Sequence, residues 1–200
     1  AMETRTSIGL YDQGEQKYTL YGGNQGPNRV REEIAHELLK VSEAKLQVIA
    51  PDVGGGFGMK GGAFGEDILV LWGAKATGRP VKWVGDRLES FMSDSHGRDV
   101  IADCEMAFDD DGKITGLRIS ADYNVGAYLS PNAGVSPMFF SILLSGVYAI
   151  PAIDVTTRCL FTNMGATAPY RGAGRPEAAY ILERLLDIAS RELDIDPIEI

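Results

Sequence analysis

The sequence predicts an α+β fold of mixed strands and helices, and two observations carry that prediction. Segments with the two-residue period of strands alternate with segments of helical period along all 200 residues. One adjacent pair of strands is joined by so short a turn that it must form an antiparallel hairpin, which breaks a plain βαβ series. Composition agrees with an ordinary globular chain, at 44% apolar and 24% charged residues. The net charge of −9 disfavours nonspecific binding to nucleic acid or an anionic membrane, both of which need a basic face. No apolar run is long enough to span a bilayer. Two cysteines are too few for an iron–sulfur cluster or a disulfide framework, and two histidines leave little for a zinc site. The one excess is glycine, 24 of 200 residues.

Residues 7–11 and 17–21 read as short strands joined by the polar turn Asp12-Gln13-Gly14-Glu15. A loop over Gly22–Pro27 then opens a helix at Pro27 or Asn28. Its stripe is Val30, Ile34, Leu38 and Val41. Leu46 to Val53 reads as a strand, followed by a glycine-rich loop from Gly54 to Gly65. Glu66 to Thr77 is apolar on nearly all sides and is expected as a buried helix, ended by Gly78-Arg79-Pro80. Val81 to Gly85 is a further strand. Val100 to Phe108 alternates cleanly, and Lys113 to Asp122 is its partner across the turn Asp109-Asp110-Asp111-Gly112. Pro137 to Ile150 is apolar and interrupted by glycine, with no period that chooses between helix and strand. Asp154 to Thr162 reads as a strand. A final helix begins near Pro176, with Ala178, Ile181, Leu182, Leu185, Ile188 and Leu193 as its buried stripe. Cys104 and Cys159 both read as small core residues, and His36 as solvated. His96 is placed to hydrogen-bond Asp94 or Asp99.

Two loops have the residues for chemistry. In Val53–Gly65, seven glycines occupy positions 54–65, so the backbone N–H groups can approach an anion or a planar ligand closely. The bland alternative is a tight corner between strand and helix. Gly56, Gly58 and Gly61, with Asp86 ending a later strand, also match the dinucleotide fingerprint G-x-G-x-x-G. Against that reading, further glycines delay the helix, Phe57 intrudes, and a hairpin follows where the next βα unit should be. A P-loop fails because Lys60 is followed by Gly61. The second loop, Ala168–Pro176, sets Arg171 and Arg175 among small residues at a helix start, a pattern suited to anion recognition. Its bland alternative is a surface loop whose arginines pair with nearby carboxylates. Two such loops more than 100 residues apart suggest one ligand held from both sides.

These loops resemble those of the molybdopterin-binding large subunits of the xanthine oxidase family, which includes xanthine dehydrogenases, aldehyde oxidases and aerobic carbon monoxide dehydrogenases. The resemblance runs through Asn24-Gln25-Gly26-Pro27, Val53 to Lys60, Asp86-Arg87, Ser95-His96-Gly97-Arg98, Tyr170-Arg171-Gly172 and the last helix. It implies cofactor contacts from Gln25, Gly56, Phe57, Gly58, Tyr170, Arg171 and Gly172. Gln25 would hydrogen-bond an oxygen ligand of the metal, and the backbone at Phe57 and Gly58 would approach the oxo ligand. The implied cofactor is molybdopterin, plain or in its cytosine dinucleotide form. The implied reaction is hydroxylation of an electron-poor carbon with oxygen from water. Electrons would leave through iron–sulfur and FAD subunits or domains.

Departures from the family pattern narrow the implied substrate. Purine oxidisers carry a glutamate where this chain has Gly61, and an aromatic residue where it has Ala173. Copper-containing carbon monoxide dehydrogenases carry a cysteine where it has Gly172. The resemblance therefore implies an aldehyde or N-heterocycle substrate. The family's general-base glutamate falls outside these residues, so no catalytic side chain is expected within them. Ala1-Met2 reads as a cloning scar, and the chain as an excerpt: residues 1–200 are one partial molybdopterin-binding domain, holding no cofactor in isolation. Cytoplasm is the expected location. A dinucleotide-binding module and a purely structural lobe stand as the alternatives.

Overall fold

After Tyr11 the Asp12 carboxylate accepts the Glu15 N–H at 2.9 Å, and this side-chain turn folds the chain back on itself. The result is an antiparallel pair, β1 (Thr6–Asp12) and β2 (Lys17–Gly22), in register from Ser7 against Gly22 to Asp12 against Lys17. The computed structural model describes residues 1–200, and the chain divides into two units, Ala1–Asp94 and Ser95–Ile200.

In the first unit, a helix starts with proline at its first turn (α1, Pro27–Glu32) and widens into a π-helical stretch over Glu33–Leu39. That widening alters the expected stripe. Val30 and Ile34 are buried as the spacing predicts, but Leu38 is half-exposed, while Leu39 packs against the core. β3 (Leu46–Ile49) pairs in parallel with β2. It is shorter than the strand expected to Val53, and Pro51, which has no N–H to donate, follows its end. Helix α2 (Gly65–Thr77) and strand β4 (Val81–Val84) complete a four-stranded sheet in the order β3-β2-β1-β4. The helix lies very close on β1: a Cβ on Gly9 would fall 2.4 Å from the Val70 carbonyl oxygen. Only one side of α2 is covered, through Val70, Leu71 and Ala74. Leu69 and Trp72 are exposed, which corrects the expectation of a helix buried all round.

A helix that sequence periodicity missed, α3 (Arg87–Ser93), follows β4. Asp86 is its N-cap, accepting the Glu89 N–H at 2.8 Å while the Glu89 carboxylate accepts the Asp86 N–H at 3.0 Å. Arg5, buried on β1's N-terminal side, ties the ends of α2 and α3 together. It donates to Glu66 at 2.5 Å and Ser93 at 2.9 Å, pairs with Asp94, and stacks on Phe64 at 4.1 Å.

The second unit is built on β5 (Val100–Phe108), β6 (Ile114–Gly126) and β7 (Ile153–Phe161), in the order β5-β6-β7. The β5–β6 pair is the predicted hairpin, with Gly112 at φ +80° in its turn. β7 joins β6 in parallel. On one face Leu117, Ile119, Ala121 and Tyr123 pack against α4 (Val135–Ile142) and α5 (Arg175–Leu193), with Phe140 and Leu182 at the centre. The opposite face carries an ion-pair ladder. Arg118 lies 3.3 Å from both Glu105 and Asp154, and Arg158 holds Asp122 at 2.6 and 2.8 Å.

Two expectations are corrected here, and the undecided stretch is resolved: α4 covers it as far as Ile142, and turns follow. On α5, Leu186 and Ala189 are buried while Ile188 and Leu193 are substantially exposed. Cys104 is half-buried against the core, and burial pushes its thiol up, but Cys159 is exposed. No helix is long and apolar enough to cross a membrane.

Candidate functional site

In the first unit the glycine-rich loop is organised by three side chains. Gln25 accepts the Gly58 N–H on its Oε1 at 2.7 Å, and its own backbone N–H donates to the Lys60 carbonyl at 3.0 Å. Gly56 lies so near that a Cβ there would fall 2.1 Å from Gln25 Cγ. Phe57, part-exposed, takes φ +53° and Gly58 takes φ +91°, so the chain reverses sharply through the positions singled out from sequence. Gln25, Gly56, Phe57 and Gly58 are thus brought together. The Gln25 carbonyl is spent on Gly58, which leaves the amide NH2 as the group Gln25 can offer outward.

Lys60 is 1% exposed, and its Nζ reaches Glu3 Oε2 at 2.5 Å. The same Glu3 oxygen accepts the Gly54 N–H at 2.9 Å, so one carboxylate fastens both ends of the run 54–60. The Lys60 hydrogen bond, against a smaller opposing effect of burial, holds the Glu3 carboxyl below its ordinary range. Sequence reasoning missed Glu3. The signal was Lys60 itself, a charge inside an apolar, glycine-rich stretch that had to find a partner.

The second unit presents Tyr170, Arg171 and Gly172 on one exposed turn. It is closed by the Ala173 N–H donating to the Tyr170 carbonyl at 2.8 Å. Gly172, Ala173 and Gly174 all have positive φ, at +103°, +44° and +88°. A Cβ on Gly172 would meet the Pro176 ring at 2.7 Å. Arg175 donates from Nη1 to the Gly172 carbonyl at 3.2 Å and stacks on Phe139 at 4.1 Å. Arg98 reaches the turn from outside it: Nη2 donates to the Arg171 carbonyl at 2.5 Å, and the guanidinium lies 4.6 Å from the Tyr170 ring. Nε of Arg98 is 3.8 Å from buried Glu177.

The remaining candidates fall away on geometry. His96 sets Nε2 against the Gly165 carbonyl at 3.3 Å, not against Asp94 or Asp99. His36 is exposed, 3.4 Å from Glu43. No group of three or more His, Cys, Asp or Glu residues gathers to hold a metal ion. The dinucleotide reading meets three obstacles. Asp86 is occupied as a helix cap, α2 begins only at Gly65, and the strands either side of the loop, β3 and β4, lie at opposite edges of the sheet.

The model of the molybdopterin cofactor-binding domain matches residues 1–200. The chain belongs to that family. Within it, the chain is 34% identical, over its whole length, to the carbon monoxide dehydrogenase large chain of Hydrogenophaga pseudoflava. It is 32% identical, again over its whole length, to the nicotine 6-hydroxylase large subunit of Paenarthrobacter nicotinovorans. In each case it spans 25% of the relative. Among solved structures, quinoline 2-oxidoreductase from Pseudomonas putida 86 superposes with a TM-score of 0.93 at 34% identity, over 99% of this chain and 25% of that one. The chain therefore spans about a quarter of the length of these molybdenum-family relatives. The α+β fold and the family expected from the two loops both stand, and the dinucleotide-binding alternative does not.

Proposed function

We propose that this chain contributes part of the molybdopterin site of a molybdenum hydroxylase large subunit whose substrate is an aldehyde or an N-heterocycle. The observation that carries the proposal is the loop built by Gln25, Gly56, Phe57 and Gly58. It sets one amide NH2 beside backbone that reverses sharply through Phe57 and Gly58, an arrangement suited to an oxygen-rich planar group. Bound there, such a cofactor supplies a metal that takes electrons from the substrate carbon while oxygen comes from water.

The chain's own residues bind and orient. Gln25, whose carbonyl is fixed on Gly58, would donate its NH2 to an oxygen of the bound group. Phe57 and Gly58 would present their backbone to it. Tyr170, Arg171 and Gly172 add a rigid turn with a cationic side chain suited to oxyanions. Gly61 and Ala173 supply neither the carboxylate nor the aromatic ring associated with purine oxidation, and Gly172 supplies no thiol for copper. Relatives named for nicotine and quinoline favour an N-heterocycle. The general base lies elsewhere in the full-length polypeptide. Iron–sulfur and FAD partners carry the electrons away, in the cytoplasm. The test is turnover by the full-length protein with an artificial electron acceptor. Aldehydes or N-heterocycles are expected to be oxidised with oxygen-18 incorporated from labelled water, whereas oxidation of xanthine or carbon monoxide alone would overturn the substrate assignment.

A further inference from the structure

Arg98 bridges three groups in the second unit, and it meets them from a backbone conformation that costs free energy. It takes φ +58°, in the left-handed region that non-glycine residues seldom enter. Its guanidinium then serves three directions at once. Nη2 donates to the Arg171 carbonyl at 2.5 Å, Nε faces Glu177 Oε1 at 3.8 Å, and the flat face lies 4.6 Å from the Tyr170 ring. Glu177, in the first turn of α5, is 8% exposed, and neither carboxylate oxygen has a hydrogen-bond partner. The cation facing it is Arg98. The neighbouring Tyr123 hydroxyl is also buried without a partner; burial first, and then the charge of Glu177, pushes it upward in pKa. A buried carboxylate kept without hydrogen bonds is costly, and here it bears on one guanidinium.

We propose that Arg98 is the positioning residue of the Tyr170–Gly172 turn, anchored by Glu177, and that the pair sets the shape in which this turn meets the cofactor. The cofactor half of the statement rests on the function proposed above; the positioning half rests on unit-internal geometry alone. The chemistry needs arginine specifically. One planar fork must hydrogen-bond a carbonyl, face a carboxylate and lie against a ring, whereas a lysine ammonium keeps the charge but has neither fork nor plane.

The test uses the full-length protein with Arg98→Lys, Arg98→Ala and Glu177→Gln. Backbone hydrogen exchange is read by mass spectrometry in the peptide covering residues 168–176, and pterin is measured by its fluorescence after oxidative release. In both Arg98 variants, exchange in that peptide is expected to rise about tenfold, the factor that corresponds to about 1.4 kcal/mol. Exchange elsewhere should be unchanged, and bound pterin should fall. Glu177→Gln, which keeps the volume, is expected to shift the same peptide in the same direction by a smaller factor, and it carries the test with Arg98→Lys if Arg98→Ala does not fold. Wild-type exchange and pterin content in Arg98→Lys would overturn the proposal, since charge alone would then suffice. A wild-type protein without pterin would instead overturn the function proposed above, while the exchange comparison still decides the role of Arg98.

Discussion

The glycine-rich loop of the first unit and the Tyr170–Gly174 turn of the second solve one problem in opposite ways. Under the function proposed above each would expose backbone to a ligand, and each gives up side-chain packing that would stiffen it. In the first unit the stiffening cation, Lys60, is part of the loop and is buried, and its counter-ion, Glu3, comes from 57 residues away. In the second, the cation, Arg98, stands 73 residues before the carbonyl it holds and grips the turn from outside. The first loop is fastened at its two ends through one carboxylate, and the second is clamped at its middle. The comparison teaches that a loop's motif and its support are separable, and that the support is where perturbation should be most informative.

The largest effect is expected at Lys60. Lys60→Ala removes the buried stem and unpairs Glu3, and should cost about 3 kcal/mol in denaturant unfolding of the full-length protein. That is the lower end for a broken buried pair, because Glu3 is partly exposed. Next comes Gly56→Ala, whose Cβ must displace the Gln25 side chain and break its bond to Gly58. About 1–3 kcal/mol and most of the bound pterin should be lost. Gly134→Ala, where a Cβ meets nothing within 4 Å, is the matched control and should stay within about 0.5 kcal/mol of wild type. A cost at Gly134 equal to that at Gly56 would break the comparison, because the loop would then be no more demanding than an open helix start.

A smaller effect separates the loops by pH. Because the Glu3 carboxyl is held below its ordinary value of 4.5, its contribution is fully present above that value and is lost as pH falls through the lower, folded value. The protection of residues 54–60 against hydrogen exchange, measured relative to the intrinsic rate at each pH, should therefore fall on acidification below about 4.5, and Glu3→Gln should abolish that dependence. If the dependence survived in Glu3→Gln, the Glu3–Lys60 pair would not be what fastens the loop.

Both loops were legible in the sequence because glycine density and arginine placement are local signals. The strands, the hairpin and the last helix were legible for the same reason, their periods being written within a few residues. The supports were not. Glu3 and Glu177 carry no local mark, and Arg98 lay in a stretch of family resemblance without a role, since each contact is made only once distant segments have folded together. The misplaced faces have equally physical causes. Leu38 left its stripe because the helix widens into a π-turn, and Leu69 and Trp72 are exposed because only one side of α2 lies on the sheet. Asp86 looked like the end of a strand because the capping box it forms with Glu89 needs only a short helix, too brief for a hydrophobic period.

The central proposal is that the loop of Gln25, Gly56, Phe57 and Gly58 serves a molybdenum cofactor. The most direct measurement is the molybdenum and pterin content of the purified full-length protein, by elemental mass spectrometry and pterin fluorescence, beside that of its Gly56→Ala variant. Molybdenum and pterin in equal amounts, stoichiometric with the subunit and depleted together in the variant, are the predicted result. A folded wild-type protein that carries neither, or a variant that retains both in full, would contradict the account.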